Sequence, residues 1–91
     1  MKLSTAILKG SKGIRQTRGT YKDGNSYCVL GAACRAVRID PSNRFRFETE
    51  AALKIKFPEL TDDLFDEIVT KNDEDQKTFK EIANWLKRKG L

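Results

Sequence analysis

Apolar residues recur with the 3.6-residue period of an α-helix in three stretches of the chain, residues 28–37, 61–71 and 78–89. The apolar positions are Leu30, Ala33, Cys34 and Val37 in the first stretch, Leu64, Phe65 and Ile68 in the second, and Phe79, Ile82, Ala83 and Leu86 in the third. Gly31 and the neighbouring alanines leave the backbone of the first helix open to close approach. We therefore predict that the second and third helices pack against it.

Capping residues define the ends of these helices. Thr61 is predicted to cap the second helix, and Thr78 with Glu81 has the spacing of a capping box for the third. Gly90 lies just after the third helix, where a left-handed residue commonly ends a helix. Pro41 disfavours helical backbone at the residue before it and is predicted to end the first helix.

Two weaker helical patterns complete the helical part of the chain. Residues 5–9 follow Ser4 as a candidate cap and precede Gly10 as a candidate left-handed stop. Residues 48–57 are predicted to be helical up to Pro58.

The segment between residues 18 and 28 has the pattern of a β-hairpin. Asp23 and Gly24 supply a turn that accepts positive φ, with Thr20 and Tyr21 before it and Tyr27 after it. The basic residues 10–19 before it are predicted to form a loop. We predict one domain over residues 1–91 of the mainly α (α+β) class, with four or five helices and one short hairpin.

The residue types exclude much catalytic chemistry. The chain of 91 residues has no histidine and two cysteines. If both lie in one helix, Cys28 and Cys34 are separated by a rise of about 9 Å, beyond the ~7 Å reach of a disulfide. If Cys28 instead ends the hairpin strand, the sequence does not fix their separation. No imidazole can activate either thiol. The polar connector 72–77 departs from the calcium-loop pattern at Lys77 and Thr78. We predict buried structural cysteines, no catalytic residue, no metal and no cofactor.

Charge is distributed unequally along the chain. Residues 1–47 hold ten Lys and Arg and two Asp, a net charge of +8, whereas residues 48–91 hold eight basic and eleven acidic residues, a net charge of −3. A basic segment of this kind either binds an anionic partner or keeps an exposed face solvated. The candidate residues for binding an anion or a nucleic acid are Lys9, Lys12, Arg15, Arg18, Lys22, Arg35 and Arg38.

An acidic cluster opens the second helix. Its members, Asp62, Asp63, Asp66 and Glu67, are explained by the helix dipole, which favours anions in the first turn. They are also candidates for contact with a protein partner, because opposite charges steer association.

The chain has no apolar stretch near the ~20 residues of a membrane span, and its first residues lack the ~7–15-residue apolar core of a secretory signal. We expect a cytoplasmic protein with reduced thiols that does not enter a membrane.

Two motifs, "QTRGTYKDGNSYCVLGAAC" and the later "ND" followed by "TFKEIANWL", resemble those of a family of small proteins encoded by tailed bacteriophages and prophages. The residues that carry the resemblance are Gln16, Arg18, Gly19, Tyr27, Cys28, Leu30, Gly31, Cys34, Asn72, Asp73, Phe79, Glu81, Ile82 and Ala83. The chain departs from the family at Val29, where the family often has a cysteine. It departs again in the connector 72–77, which lacks the family's glycine. The resemblance implies a phage context and no particular activity.

In a phage context, a small protein without catalytic residues is expected to bind a host component, for example a defence, transcription or replication factor, and to modulate or inhibit it. The host component is expected to be a protein. The alternative is a module that binds nucleic acid or an anionic nucleotide through the basic segment, with Tyr21 and Tyr27 beside it.

Overall fold

The computed structural model describes residues 1–41 and 46–91. Within these residues there are five helices and one small three-stranded sheet, which confirms the mainly α (α+β) class. The elements are α1 (Leu3–Gly10), β1 (Arg15–Gln16), β2 (Lys22–Asp23), β3 (Ser26–Tyr27), α2 (Val29–Ala36), α3 (Arg46–Lys56), α4 (Asp62–Asp73) and α5 (Phe79–Arg88). None of these helices is long and apolar enough to cross a membrane.

The predicted hairpin is present as the antiparallel pair β2–β3. Lys22 lies opposite Tyr27 and Asp23 opposite Ser26, and Gly24 turns the chain with a φ of 61°. A third strand, β1, pairs in parallel with β3, so the sheet order is β1-β3-β2. The prediction of a loop over residues 10–19 was wrong at β1, because two residues are too few to show a strand period.

The helices α1 and α2 approach each other closely at a glycine. A Cβ added to Gly10 would lie 1.7 Å from the carbonyl oxygen of Ala32, so only glycine permits this contact. Gly10 is the last residue of α1 and not the predicted left-handed stop.

Ser4 joins α1 to Leu91, which follows α5, and does not cap α1. The helix already begins at Leu3, and the buried Ser4 hydroxyl donates a hydrogen bond of 3.0 Å to the carbonyl oxygen of Leu91. The helix α5 accordingly packs against α1, whereas α4 packs against α2. The prediction that α5 packs against α2 was therefore wrong in its main partner, because the apolar face of α1 was not counted as a packing surface.

The helix α2 ends before Pro41. Arg38 takes a left-handed φ of 62°, and the Ile39 amide donates to the carbonyl oxygen of Cys34, which together close the helix end in a Schellman arrangement. The proline was therefore not needed as a stop. The segment predicted to end this helix runs from residue 39 to 45, and its residues 42–45 lie outside the described residues.

The caps predicted for α4 and α5 are confirmed. The Thr61 hydroxyl accepts from the Leu64 amide, and Thr78 with Glu81 forms the complete capping box. Gly90 has the predicted left-handed φ, 81°. The helix α4 continues through Asp73, so the predicted connector begins two residues too early.

One core joins all five helices. The largest fully buried apolar side chains are Leu3, Ile7, Val29, Leu30, Leu53, Phe57, Leu60, Ile68, Ile82 and Leu86. Phe79, predicted on the apolar face of α5, packs at the edge of this core and is half-buried.

The capping box gives a pH-dependent contribution to stability. Hydrogen bonding from the Thr78 backbone lowers the pKa of Glu81, so the carboxylate stabilises the fold above the unfolded pKa of about 4.3, and this contribution is lost as the pH falls through the lower folded value. We expect the free energy of unfolding of the wild type to exceed that of Glu81→Gln at pH 7, with the difference disappearing by about pH 3. Urea denaturation across this pH range measures it. A difference that is constant or that grows in acid would contradict the assignment.

Candidate functional site

The side chain of Asn72 lies at the junction of the two halves of the chain. It is 1% exposed, and its Oδ1 accepts hydrogen bonds from Gln16 Nε2 at 2.9 Å and from the Val29 amide at 3.0 Å. Its Nδ2 donates to the carbonyl oxygen of Thr17 at 3.0 Å and to Asp73 Oδ1 at 2.8 Å. One carboxamide thus joins α4 to the sheet and to the first residue of α2.

Gln16 extends this network to α5. Its Nε2 also donates to the carbonyl oxygen of Lys77 at 2.7 Å, and its Oε1 accepts from the Phe79 amide at 2.9 Å. Residues at the first position of a helix have no helical hydrogen-bond acceptor. The two carboxamides therefore satisfy the amides that open both α2 and α5.

Asp73 fixes the loop that leads to the hairpin. Its Oδ1 accepts from the Gly19 amide at 3.0 Å, where Gly19 has a φ of 80°. Gln16, Gly19, Asn72 and Asp73 all belong to the motifs that carry the phage-family resemblance. These four residues of the two motifs therefore belong to one hydrogen-bonded network.

A cleft of about 250 Å³ lies beside the network. It is lined by Tyr21 and Lys22 of the hairpin region, by the start of α2, by Arg46 of α3 and by α4.

Some of the predicted anion-binding residues are brought together around Tyr27. Lys22 Nζ lies 5.5 Å from the centre of the Tyr27 ring, and the Arg35 guanidinium carbon lies 6.0 Å from it. Arg35 also donates to the carbonyl oxygens of Gly10 and Lys12, at 3.0 Å each. The structure therefore gives Arg35 a structural role at the end of α1.

The other predicted cations occupy separate places. Lys9 is exposed in the last turn of α1, Arg15 is exposed in β1, and Arg18 is exposed before Gly19. Arg38 is exposed at the end of α2, where its left-handed backbone closes the helix. The predicted set is a distributed basic surface with one compact group at Tyr27.

The predicted acidic residues all lie on the exposed side of α4. Asp63, Asp66 and Glu67 share a shallow groove with Thr70, Lys71 and Asp75. Asp62 forms a salt bridge with Lys54 of α3, and Lys54 also pairs with Glu50 at 3.6 Å. Of the four acidic residues, Asp62 is therefore the one that is ion-paired to α3.

An apolar stripe on α3 was missed in the sequence analysis. Phe47 is 69% exposed and Ile55 is 78% exposed, and Ala51 between them is also exposed. The spacing of four residues places all three on one helix face, opposite the buried Thr49 and Leu53. The sequence did contain a signal for this stripe, because the helix has apolar residues on two faces and one small domain cannot bury both faces.

A second aromatic–basic group lies on α5. Lys71 Nζ and Lys89 Nζ lie 4.5 and 5.0 Å from the centre of the Trp85 ring. The basic end of α5 was interpreted only as a complement to the helix dipole. The position of Lys71, one helix away, could not be read from local sequence.

The cysteines have the predicted structural character. Both are buried and neither forms a disulfide. The Sγ of Cys28 caps α2 by accepting a hydrogen bond from the Gly31 amide at 3.3 Å. Burial raises the pKa of the Cys28 thiol to about 11. The Cys28 thiol therefore stays protonated at neutral pH, which does not suit a nucleophile.

Across residues 1–41 and 46–91, no group of three or more acidic or cysteine side chains is arranged to hold a metal ion. Comparison with known proteins gives no matching family model, no matching curated protein and no matching solved structure. The resemblance to the phage family stays a prediction.

The network predicts a strong coupling between its two carboxamides. Asn72→Ala should lower the free energy of unfolding by about 2–4 kcal/mol, because it leaves buried donors and acceptors unpaired. Gln16→Ala should lower the free energy of unfolding by about 1–2 kcal/mol. The loss in the double variant should be smaller than the sum of the two single losses by at least about 0.5 kcal/mol. Urea denaturation of the four proteins measures this cycle.

The matched control is Asn84→Ala, which removes an exposed carboxamide from α5 and should change stability by no more than about 0.5 kcal/mol. Equal effects of Asn72→Ala and Asn84→Ala, or strict additivity of the Asn72 and Gln16 variants, would contradict the network.

Proposed function

We propose that this chain is a non-enzymatic, phage-encoded accessory protein that binds a host protein and modulates or inhibits it. The contact surface is the apolar stripe of α3 (Phe47, Ala51 and Ile55) together with the acidic face of α4 (Asp62, Asp63, Asp66 and Glu67). The partner has an apolar groove or pocket bordered by basic residues.

The single observation that carries this proposal is the exposure of Phe47 and Ile55. Two large apolar side chains lie two helical turns apart on one face, each more than two-thirds exposed. Contiguous exposed apolar surface in a small domain marks an interaction site more often than scattered single residues do. Helices with apolar residues at four-residue spacing are a common means of docking into a groove.

Charge complementarity supports a protein partner with a basic rim. The four acidic residues are exposed on α4, and Asp62 is ion-paired with Lys54 of α3. An acidic border accelerates association with a basic surface, while the apolar centre supplies most of the binding energy.

The test is a pull-down from nuclease-treated host lysate, followed by calorimetry with the purified partner. Phe47→Ser and Ile55→Ser should each weaken binding by about 30-fold, because central apolar anchors are worth about 2 kcal/mol or more. Because Ile55 is 78% exposed, Ile55→Ser should change the free energy of unfolding by no more than about 0.5 kcal/mol. Leu8→Ser, at an exposed leucine on α1, is the matched control and should bind normally.

A second candidate function, nucleic-acid binding, is favoured by the group around Tyr27. An aromatic ring flanked by Lys22 and Arg35 is the arrangement that binds bases and phosphates together. It ranks second because Arg35 already donates to two backbone carbonyl oxygens.

The two functions give opposite results in one binding assay. Nucleic-acid binding through about four phosphates gives a log–log salt slope of roughly −4, and replacing Lys12, Arg15 and Arg18 with alanine should reduce that slope by about three. The protein-binding proposal would be contradicted if the partner is no longer retained in the pull-down after nuclease treatment. It would also be contradicted if Phe47→Ser and Ile55→Ser leave the retention of the partner unchanged.

A further inference from the structure

The last helix carries a concentration of positive charge that the net charge of the second half of the chain conceals. Residues 77–89 hold five Lys and Arg and one Glu, a net charge of +4, whereas residues 48–76 hold three Lys and ten acidic residues, a net charge of −7. The five basic side chains are all exposed, and none of them forms a salt bridge with a residue that the structure describes. This surface therefore keeps its cations free to meet an anion.

Trp85 is the aromatic residue of this surface. Its side chain is partly buried against the core, and Lys71 Nζ and Lys89 Nζ lie 4.5 and 5.0 Å from the centre of its ring. Lysine keeps its charged end hydrated, so the two ammonium groups mark a part of the ring that faces water. A base that stacks there displaces exposed cation–π contacts, which are worth less than the stacking of a base on an aromatic ring.

A groove of about 400 Å³ runs beside the ring, a volume within the range of small-ligand sites. Lys77 and Arg88 line it together with Trp85, and Glu81 is the one carboxylate among the described residues of its lining. That carboxylate accepts a hydrogen bond from the Thr78 amide in the capping box, which holds it at the start of α5. The groove thus combines an aromatic ring with more positive than negative charge.

The acidic groove of α4 limits where an anion can lie on this surface. Lys71 lines both grooves, and in the acidic one it lies with Glu67 and Asp75. A phosphate at Lys71 would therefore meet like charges, whereas Lys77 and Arg88 line the groove at Trp85 and not the acidic one. The favourable positions for phosphates are Lys77, Arg88 and Lys89.

We propose that this surface binds single-stranded nucleic acid, with one base stacked on Trp85 and the neighbouring phosphates at Lys77, Arg88 and Lys89. A single strand fits better than a duplex, because an unpaired base is free to stack on an aromatic side chain. It fits better than an acidic protein segment, because a carboxylate side chain has no ring to place on Trp85.

This binding activity is separate from the proposed contact with a host protein. The site shares no residue with the α3 stripe, with the four acidic residues of α4 or with the group around Tyr27. Phe47→Ser and Ile55→Ser should therefore leave the binding of a single strand unchanged, so each proposal can fail without the other.

The experiment titrates the full chain with an oligothymidylate of about ten nucleotides, a length within the range that small single-strand-binding modules cover. Trp85 is the only tryptophan of the chain, so its fluorescence reports directly on the site. We expect saturable binding by anisotropy of the labelled strand, and quenching of Trp85 by the unlabelled strand with the same affinity. Three phosphate contacts predict a log–log salt slope of roughly −2.

Three matched probes separate stacking from charge. An abasic strand of the same length keeps the phosphates without the bases, and a polyglutamate peptide of the same charge has neither. Both should bind at least about fivefold more weakly than the oligothymidylate. The duplex of the oligothymidylate with its complement should leave the fluorescence of Trp85 unquenched.

Variants test the named residues. Trp85→Leu keeps an apolar side chain but removes the ring, and should weaken the oligothymidylate by about fivefold to tenfold without changing the abasic strand. Trp85→Phe should recover part of this loss. Arg88→Gln should reduce the magnitude of the salt slope by about 0.7. The matched control, Lys80→Gln, removes the same charge from an exposed position of α5 outside the groove and should leave the slope unchanged.

Several results would overturn the proposal. Equal binding of the abasic strand or of polyglutamate would show that charge alone is recognised, and equal effects of Lys80→Gln and Arg88→Gln would show that no particular site is used. Binding that is lost in Lys22→Gln and kept in Arg88→Gln would place the strand at Tyr27 instead. If Trp85→Leu does not fold by circular dichroism, the abasic strand and the Arg88 and Lys80 variants still decide the outcome.

Discussion

The buried carboxamide of Asn72 is the constraint on which the arrangement of the other elements depends. A domain of about 90 residues buries only some 60–65% of its unfolded surface, so apolar packing alone leaves little margin to fix how its elements meet. A carboxamide both donates and accepts, which lets Asn72 pair with Val29, Thr17 and Gln16 at once. A carboxylate could not donate in this position, and an apolar side chain would leave the Val29 amide unpaired.

The same constraint separates the surfaces of the molecule. Because α4 is held against the start of α2 and the hairpin region, the cleft opens between them and Tyr21 lies at it. The helix α3 contributes Thr49 and Leu53 to the interior and leaves Phe47 and Ile55 on its outer face. The stripe and the cleft are therefore different surfaces, and each can be altered without removing a core residue.

Local chemistry was predictable from the sequence, and long-range polar contacts were not. The capping box of Thr78 and Glu81, the turn at Gly24 and the apolar face of α4 depend on residues a few positions apart, and each is confirmed. Asn72 was placed in a polar connector, because its partners Gln16 and Val29 are 56 and 43 residues away. The anion-binding candidates were identified by charge alone, which could not reveal that Arg35 is held by backbone carbonyl oxygens.

Native-state hydrogen exchange of two amides tests the central claim most directly. Val29 and Phe79 are the first residues of α2 and α5, where amides have no helical acceptor and ordinarily exchange fast. Their bonds to Asn72 Oδ1 and Gln16 Oε1 predict protection as high as that of the buried Ile82 amide. In Asn72→Ala, the Val29 amide should lose this protection. The Ile82 amide should keep the protection that the global stability of this variant allows. Val29 and Phe79 amides that exchange in the wild type as fast as the exposed Gly24 amide would contradict the account.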